Sequence, residues 1–326
     1  MSSLVEFLLD ADDLAETVFA FSPLNEATLS LRAWKFPGVH PEHVAGLRHL
    51  RPDYDALDTV LLEALVTDLR MIPDFLTPRP VTPLPDPAAE FAALRQTPPS
   101  VLRDHVIRAY GGGRLPPVLA GARSDPAVLL GRIADALESY WQQCLAPWWP
   151  RMRALLEADI AYRGRTLALG GAQALFADLD DRISWLNGRL RVRLPGANGL
   201  DQVAAVGGRG LVLAPCLFVR GAITMIDATG PPLLFYPARG RAALWQQPST
   251  VTAAALDELL GRTRSRLLTL LDQPVSTTEL ARLLDVTPGA VSRHLTALHS
   301  ARLLNRTRSG RSVLYFRSPL GDALLN

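Results

Sequence analysis

The 326-residue sequence has little of several features that mark particular classes of protein. It contains only two cysteines, Cys144 and Cys216, each alone in an apolar neighbourhood, which argues against a disulfide framework and against a zinc cluster. Lys35 is the only lysine. No apolar run approaches the length that spans a membrane, and the N-terminal stretch lacks the basic segment of a signal peptide. These absences predict a cytoplasmic protein.

The composition is that of a folded protein with an uneven distribution of charge. Hydrophobic residues make up 48% and charged residues 20%, and the length is enough for two or three domains. The net charge of +2 argues against a protein that coats nucleic acid generally. From Ser249 onward, however, ten arginines outnumber six acidic residues, so this part carries +4 and residues 1–248 carry −2. The basic excess is therefore concentrated in the C-terminal part.

A stretch near the C-terminus has the pattern of two short helices joined by a tight turn. Ser276 and Glu279 have the spacing of a capping box at the start of a helix, which we expect to end near Leu284. Thr287 and Pro288 then supply an N-cap and a proline at the first helical position. The spacing therefore predicts a second helix that begins at Pro288, and the apolar side chain of Val286 in the turn before it is expected to point inward.

The second predicted helix has one apolar face and one face free to contact a ligand. Val291, Leu295 and Leu298 recur at helical spacing and are expected to point into the core. His294 lies beside this apolar stripe, so a phosphate contact and simple packing both remain open. The opposite face is suited to the major groove of DNA. The residues that we expect to contact DNA from this helix and its cap are Thr287, Pro288, Gly289, Ala290, Ser292, Arg293, His294 and Thr296.

A predicted hairpin follows the second helix. Leu303–Thr307 and Val313–Arg317 alternate as strands do, and the turn between them carries guanidinium groups flanked by small residues. Such a tip suits phosphates or a minor groove. The residues that we expect to contact DNA from this hairpin are Arg306, Arg308, Ser309 and Arg311.

The segment ELARLLDVTPGAVSRHLTALHSARLL, followed by RTRSGRSVLYF, resembles the winged helix-turn-helix domain of ArsR-type (arsenic-repressor-like) bacterial transcriptional regulators. Asp285 stands where many relatives carry glycine. Metal-sensing members carry a Cys-x-Cys pair on the first motif helix or an Asp/His set on the C-terminal helix. Thr278-Glu279-Leu280 and Gly321-Asp322-Ala323 occupy those places here, so metal sensing is not part of the expectation.

The resemblance implies a homodimeric, sequence-specific regulator, more often a repressor, that binds double-stranded DNA at a palindromic operator. Leu256, Leu260, Thr263 and Leu267 have helical spacing and resemble the first helix of the family's domain, which commonly contributes to the dimer interface. The upstream segments IPDFLTP, YWQQCLAPWWPRMRALLEADI, ALFADL and LLFYPARG resemble the large uncharacterised N-terminal region of some ArsR-like regulators. That likeness names no effector, and an unknown small-molecule effector stays an expectation.

The whole chain is predicted to be mainly α with minor β, an α+β fold. Residues 1–72 have the caps and apolar spacing of helices, and the pattern changes to short strands between about Arg163 and Trp245. Predicted helices in the first stretch are Asp10–Phe21, Ser22–Trp34 and Tyr54–Met71. The expected domains are a helical N-terminal domain at residues 1–162, a mixed α/β region packed on it at 163–248, and the winged helix-turn-helix at 249–326.

An aromatic cluster upstream has two interpretations. Aromatic side chains at helical spacing usually belong to a core, but these four could also line a pocket for an apolar effector. The residues of this weaker ligand-binding hypothesis are Tyr140, Trp141, Trp148 and Trp149.

Catalytic and metal sites are not expected. His40, His43 and His49 have no cysteine nearby, and a partly exposed helix entrance explains them better than a metal does. The acidic residues near Asp178 lack a partnered histidine or nucleophile, so we expect neither an enzyme nor a cofactor. Two alternatives remain: a small-molecule-binding protein or enzyme with an accessory winged helix, and a protein-interaction adaptor.

Overall fold

The chain folds into two compact units, residues 1–245 (the first unit) and residues 246–326 (the second unit). The mixture of many helices with several small sheets confirms the predicted α+β class. Among the described residues, no helix combines the length and apolar composition that crossing a membrane requires. The computed structural model describes residues 2–80, 82–83, 86–195, 201–225, 230–246, 253–309 and 312–325.

The first unit opens with two strands that alternate with two helices, and its middle is helical. In chain order its first elements are β1 (Ser2–Leu8), α1 (Ala11–Ala15), β2 (Val18–Phe19), α2 (Pro23–Lys35), α3 (Val44–Asp55), α4 (Thr59–Ala64), α5 (Pro87–Arg95), α6 (Pro99–Ala109), α7 (Gly121–Ser124), α8 (Pro126–Tyr140) and α9 (Trp149–Leu179). The strands that follow are β3 (Ile183–Leu186), β4 (Arg189–Pro195), β5 (Gln202–Ala205), β6 (Val212–Cys216), β7 (Ile223–Met225) and β8 (Leu233–Pro237).

Two four-stranded sheets form within the first unit. The first has the order β3-β4-β1-β5, with β1 antiparallel to β4 and parallel to β5. The second has the order β2-β6-β8-β7, and its central pair β6 and β8 is parallel. Buried and partly exposed side chains alternate along β1, as they do in a strand with one buried face. Val5 and Phe7 point to the buried face, while the residues between them do not. The chain therefore places its earliest strand inside a sheet whose other strands come from residues 183–205.

The prediction that residues 1–72 are entirely helical is wrong. Val5, Phe7 and Leu9 recur every second residue, which is the period of a strand and not of a helix. The predicted helix Asp10–Phe21 is reduced to α1, and the predicted helix Tyr54–Met71 is reduced to α4.

The predicted boundary at residue 162 falls inside a helix. Helix α9 runs through it, and β1 pairs with β4, so residues from both predicted regions belong to one compact unit. The predicted boundary at 248 falls among residues 247–252, which lie outside the described residues.

Helix α9 is broken at Gly171 and held together by a buried ionic group. Gly171 adopts φ 69°, which favours glycine and interrupts the helix. Arg163 lies before the break and contacts Asp178 after it, with Nη1 2.6 Å from Oδ2. Arg163 also pairs with Asp159 one turn earlier, at 3.5 Å, and both side chains are almost completely buried. Asp159 in turn accepts hydrogen bonds from the Tyr236 hydroxyl (2.8 Å) and the Arg239 backbone N–H (3.0 Å).

The second unit is a three-stranded sheet against a small helical bundle. Its sheet has the order β10-β11-β9, and its core is a single apolar cluster that includes Leu267, Leu280, Val291, Leu295 and Tyr315. Its elements are α10 (Ala253–Leu260), α11 (Arg262–Leu270), β9 (Val275–Ser276), α12 (Thr277–Leu284), α13 (Pro288–Ser300), β10 (Leu304–Ser309), β11 (Ser312–Arg317) and α14 (Pro319–Ala323).

Candidate nucleic-acid interface

Helix α12 begins with the capping box that the sequence predicts. The Glu279 backbone N–H donates to Ser276 Oγ at 3.3 Å, and the Ser276 backbone N–H donates to Glu279 Oε2 at 2.8 Å. The Ser276 hydroxyl, which donates to Glu279 Oε2 at 2.7 Å, and then the Ser276 backbone N–H lower the pKa of Glu279, because they favour its charged form. The cap fixes where α12 starts, and Leu280 and Ala281 then bury the inner face of the helix.

The turn after α12 is made by Asp285 in the left-handed conformation (φ 54°, ψ 48°). The Val286 backbone N–H donates to the Ala281 carbonyl at 3.0 Å, which closes the end of the helix. The expectation that Val286 points inward is wrong, since its side chain is exposed. Leu283 is exposed as well, because the buried stripe of α12 runs through Leu280 and Ala281 and leaves it at the edge.

Helix α13 starts and buries its residues as the sequence predicts. Thr287 Oγ1 accepts a hydrogen bond from the Ala290 backbone N–H at 3.3 Å, and Pro288 is the first helical residue. Val291, Leu295 and Leu298 are buried in the core of the second unit. Helix α13 therefore packs against the core of the second unit through one face only.

The outer face of α13 carries the predicted contact residues. Ala290 and His294 are half-buried at its edges, which fits packing at least as well as a phosphate contact for His294. Thr296 Oγ1 donates to the Ser292 carbonyl at 2.9 Å, so this hydroxyl already has a partner within the helix. The exposed members of the predicted set on α13 and its cap are Thr287, Pro288, Gly289, Ser292, Arg293 and Thr296.

The predicted hairpin is formed by β10 and β11, which we call the wing. Arg306 pairs in register with Tyr315 and Arg308 with Val313. Arg306 and Arg308 are both exposed, and they are two residues apart on one strand, so their side chains project from the same face. The contact prediction for Ser309 concerns a side chain of which the structure says nothing, and Arg311 lies outside the described residues.

The base of the wing is fastened to the helical part of the second unit. Arg317 Nε contacts Asp322 Oδ1 at 2.6 Å, and Arg317 Nη1 donates to the Thr269 carbonyl at 3.1 Å. Gly321 passes so close to β10 that a Cβ atom there would lie 2.2 Å from the Leu303 carbonyl oxygen. The wing is thus oriented by contacts at its base while the arginines farther along it remain in solvent.

The exposed arginines of this surface are not neutralised by the protein. Arg293, Arg306 and Arg308 form no ion pair with any acidic side chain in the described part of the chain. An unpaired guanidinium on a convex surface retains its five donors for phosphate or base edges. Helix α13 and the wing together present cationic donors in the arrangement by which winged helix-turn-helix domains contact a duplex.

The first helical segment of the second unit differs from its prediction. The spacing of Leu256, Leu260, Thr263 and Leu267 predicts one helix, but Gly261 (φ 80°) divides it into α10 and α11. Leu267 and Leu268 of α11 are buried, whereas Leu259 of α10 is 69% exposed. Sequence reasoning missed this break, although a glycine within an apolar helical pattern is the signal that indicates it.

The aromatic cluster of the first unit belongs to a hydrophobic core. Tyr140 and Trp141 are buried, and the Tyr140 hydroxyl accepts a hydrogen bond from Trp34 Nε1 at 2.9 Å. Trp148 and Trp149 are partly buried and pack against the same core. None of the four residues lines either of two cavities of the first unit. The geometry therefore supports the packing interpretation over the ligand-binding one.

The histidines of the first unit form a hydrogen-bonded group. His40, Glu42 and His43 are close enough for their ligand atoms to lie within 4.8 Å of one another. However, His43 Nδ1 accepts from Trp245 Nε1 at 2.9 Å, so its Nε2 donates to the Leu217 carbonyl at 3.0 Å. Both ring nitrogens of His43 are thus engaged, and Glu42 faces Arg241 at 3.3 Å. This donor set does not fit a metal.

One comparison with known proteins identifies the second unit. Comparisons of the chain with curated proteins and with solved structures gave no match. Residues 259–307 match a family model described as a helix-turn-helix domain, which runs from the end of α10 through α13 into β10. The chain therefore carries a helix-turn-helix domain, the DNA-binding module of a transcription regulator.

Proposed function

We propose that the chain is a homodimeric, sequence-specific transcriptional repressor of the ArsR type, acting in the cytoplasm and controlled by an effector other than a metal at the family's usual sites. The observation that carries this proposal is the exposed face of α13, where Arg293 has no acidic partner among the described residues and stands on a helix buried only on its inner side.

Helix α13 would read the base sequence of the DNA, and the wing would contact its phosphates. An arginine that donates two hydrogen bonds to a guanine edge discriminates among base pairs, which suits Arg293 on the outer face of α13. Arg306 and Arg308 would contact phosphates beside the groove and contribute affinity without sequence preference. The +4 charge of residues 249–326 supports the same division, because attraction to the duplex is confined to one part of the chain.

A homodimer would place two copies of α13 on successive segments of the major groove. A two-fold axis in the protein then requires an imperfect palindrome with half-sites about one helical turn apart. The exposed Leu259 supports an interface on α10, because a second copy that covered this side chain would remove it from water.

The proposal is tested by fluorescence anisotropy of the full chain with its own upstream intergenic DNA and with a scrambled duplex of equal length, over a salt series. We expect preferential binding to the upstream DNA, with affinity that falls steeply as salt rises. Equal, salt-independent binding to both duplexes would instead support a protein-interaction adaptor.

The dimer is tested separately with Leu259→Glu, measured by light scattering after size exclusion. We expect this variant to be monomeric and to lose binding to a two-half-site duplex. Leu283→Glu is the matched control, because Leu283 is equally exposed but lies on α12. An unchanged mass for Leu259→Glu would contradict the α10 interface.

A further inference from the structure

The first unit contains a cavity of about 590 Å³ that no sequence motif identifies. Its walls include the end of α2, residues 68–71, the residue before β3, and residues 218–224, which lead from the end of β6 into β7. A cavity of this size is within the range of small-molecule sites, which is roughly 300–1,000 Å³. It lies entirely within residues 1–245.

Four arginines line this cavity: Arg32, Arg70, Arg182 and Arg220. None of them forms an ion pair with a carboxylate in the part of the chain that the structure describes. The acidic residue in the lining, Asp68, pairs with Lys35 at 3.3 Å, and its side chain is 97% exposed. The lining of the cavity therefore carries four guanidinium groups against one carboxylate.

Two buried nitrogens at the cavity have no hydrogen-bond partner. They are His40 Nδ1, on a residue that is only 4% exposed, and Arg32 Nε. Leaving such groups unsatisfied is unfavourable, so their presence beside a cavity points to a ligand that accepts hydrogen bonds.

The pKa values of His40 and Arg32 agree with a ligand that accepts hydrogen bonds. Burial, followed by the charges of His43, Arg32 and Arg220, lowers the pKa of His40 to about 4, although Glu42 opposes the shift. Burial, with a smaller effect of Arg70, also lowers the pKa of Arg32 to about 10. At neutral pH His40 is therefore a neutral donor or acceptor, while Arg32 stays cationic.

The wall also has an apolar part. Phe36, Val39, Leu194, Phe218 and Ile223 line the same cavity, so it offers surface to a hydrocarbon as well as donors to an anion. Arg182 lies directly against the backbone of Gly221, where a Cβ atom would be 2.4 Å from its Nη1. A side chain at position 221 would displace this guanidinium.

We propose that this cavity binds an amphipathic organic anion, with a carboxylate or phosphate head held by Arg32, Arg70, Arg182, Arg220 and His40, and an apolar body against Phe36 and Phe218. Bidentate pairing of guanidinium groups with oxyanions supplies the affinity for the head, and burial of the body supplies the remainder. Binding here does not depend on whether the second unit contacts DNA.

The test is isothermal titration calorimetry of the full chain with three probes: octanoate, octan-1-ol and inorganic phosphate. Octanoate has both the charge and the apolar body, and each of the other two lacks one of them. We expect octanoate to bind at least about tenfold more tightly than either of the others. Octan-1-ol binding as tightly as octanoate would overturn the proposal, because the arginines would then contribute nothing.

The variants separate this cavity from any other anion-binding surface. Arg70→Gln combined with Arg220→Gln removes two exposed cavity arginines, and we expect octanoate affinity to fall about tenfold or more. Arg48→Gln combined with Arg165→Gln removes two exposed arginines of the same unit that line neither cavity. Equal affinities of the two double variants would place octanoate elsewhere and overturn the assignment.

Gly221→Ala is a third variant that removes no charge. It is expected to weaken octanoate binding by displacing Arg182, with an unchanged circular dichroism spectrum. Gly131→Ala is its control, since a Cβ atom at that glycine would meet nothing within 4 Å. Octanoate binding that is unaffected by Gly221→Ala and by the arginine double variant would exclude the cavity.

Discussion

The two units bury different kinds of group. In the second unit, the buried polar side chains among the described residues are Ser265 and Ser318, and the core is otherwise apolar. The first unit instead buries ionisable side chains, including Glu26, Asp159 and Arg163. These side chains have hydrogen-bond partners that are distant in sequence, such as Leu217 for Glu26 and Tyr236 for Asp159.

Glu26 is one example. Both of its carboxylate oxygens accept from the Leu217 backbone N–H, at 3.1 and 3.2 Å, across 191 residues of sequence. His43 is held in the same way, between the Trp245 indole and the Leu217 carbonyl. The first unit is therefore stabilised by specific pairs as well as by apolar burial.

The largest effect is expected from Asp159→Ala. This change removes one of the two carboxylates that face the buried Arg163 guanidinium, together with the acceptor of the Tyr236 hydroxyl, which costs roughly 3–5 kcal/mol. All six tryptophans lie in residues 1–245, so urea unfolding followed by tryptophan fluorescence reports the first unit alone. Asp135→Ala is the control, because Asp135 pairs with Arg95 at the surface and should contribute at most about 1 kcal/mol. Equal midpoints for the two variants would mean that the buried pair is not a determinant of stability.

The next effect concerns the apolar core of the second unit. Leu295→Ala removes a fully buried side chain and is expected to destabilise that unit by roughly 2–5 kcal/mol. The helical circular dichroism signal and the affinity for DNA should fall. The urea midpoint measured by tryptophan fluorescence should not change. The exposed Leu283→Ala should change neither signal. A shift of the tryptophan transition by Leu295→Ala would show that the stabilities of the two units are coupled.

A third effect depends on pH and is specific to the first unit. Burial raises the pKa of Glu26 from 4.5 to about 8, so the folded state keeps a proton that the unfolded state releases above pH 4.5. Stability should therefore fall as pH rises from about 5 to about 8, by on the order of 3 kcal/mol. Urea midpoints from tryptophan fluorescence at several pH values measure this. Glu26→Gln should flatten the profile, and Glu157→Gln at the surface should leave it unchanged.

The smallest effect is expected from removing an exposed charge, which should alter DNA binding and not stability. Arg293→Ala should not change the stability of either unit, but it should weaken binding to the preferred duplex by roughly 1–3 kcal/mol and relax specificity at one position.

Arg308→Ala should weaken binding to all duplexes similarly and flatten the salt dependence. Arg266→Ala, on α11, is the charge-matched control for both. Equal losses on preferred and scrambled DNA for Arg293→Ala would contradict base reading.

The second unit could be predicted from sequence because its signals are local. The Ser276 and Glu279 cap, the Thr287 cap and the Val291 stripe each lie within a few residues of what they determine. The errors there, at Gly261 and Val286, concern single residues. The matched helix-turn-helix model covers this same region.

The first unit could be predicted in part of its helices and in the short strands after residue 163, but not in how its strands pair, because that pairing is not local. The short alternation of Val5 and Phe7 was missed since its partner strands lie more than 180 residues later. The cavity was missed for a similar reason. Arg32, Arg182 and Arg220 have no motif in common, and only the fold brings them to one site.

The position of β1 has a consequence for synthesis on the ribosome. Residues 2–8 lie between β4 and β5, so this early strand leaves the exit tunnel long before residues 189–205 exist to pair with it. An unpaired apolar strand is a site for association with other chains. We therefore expect the first unit to complete its sheet late in translation and to rely on protection of its N-terminal segment until then.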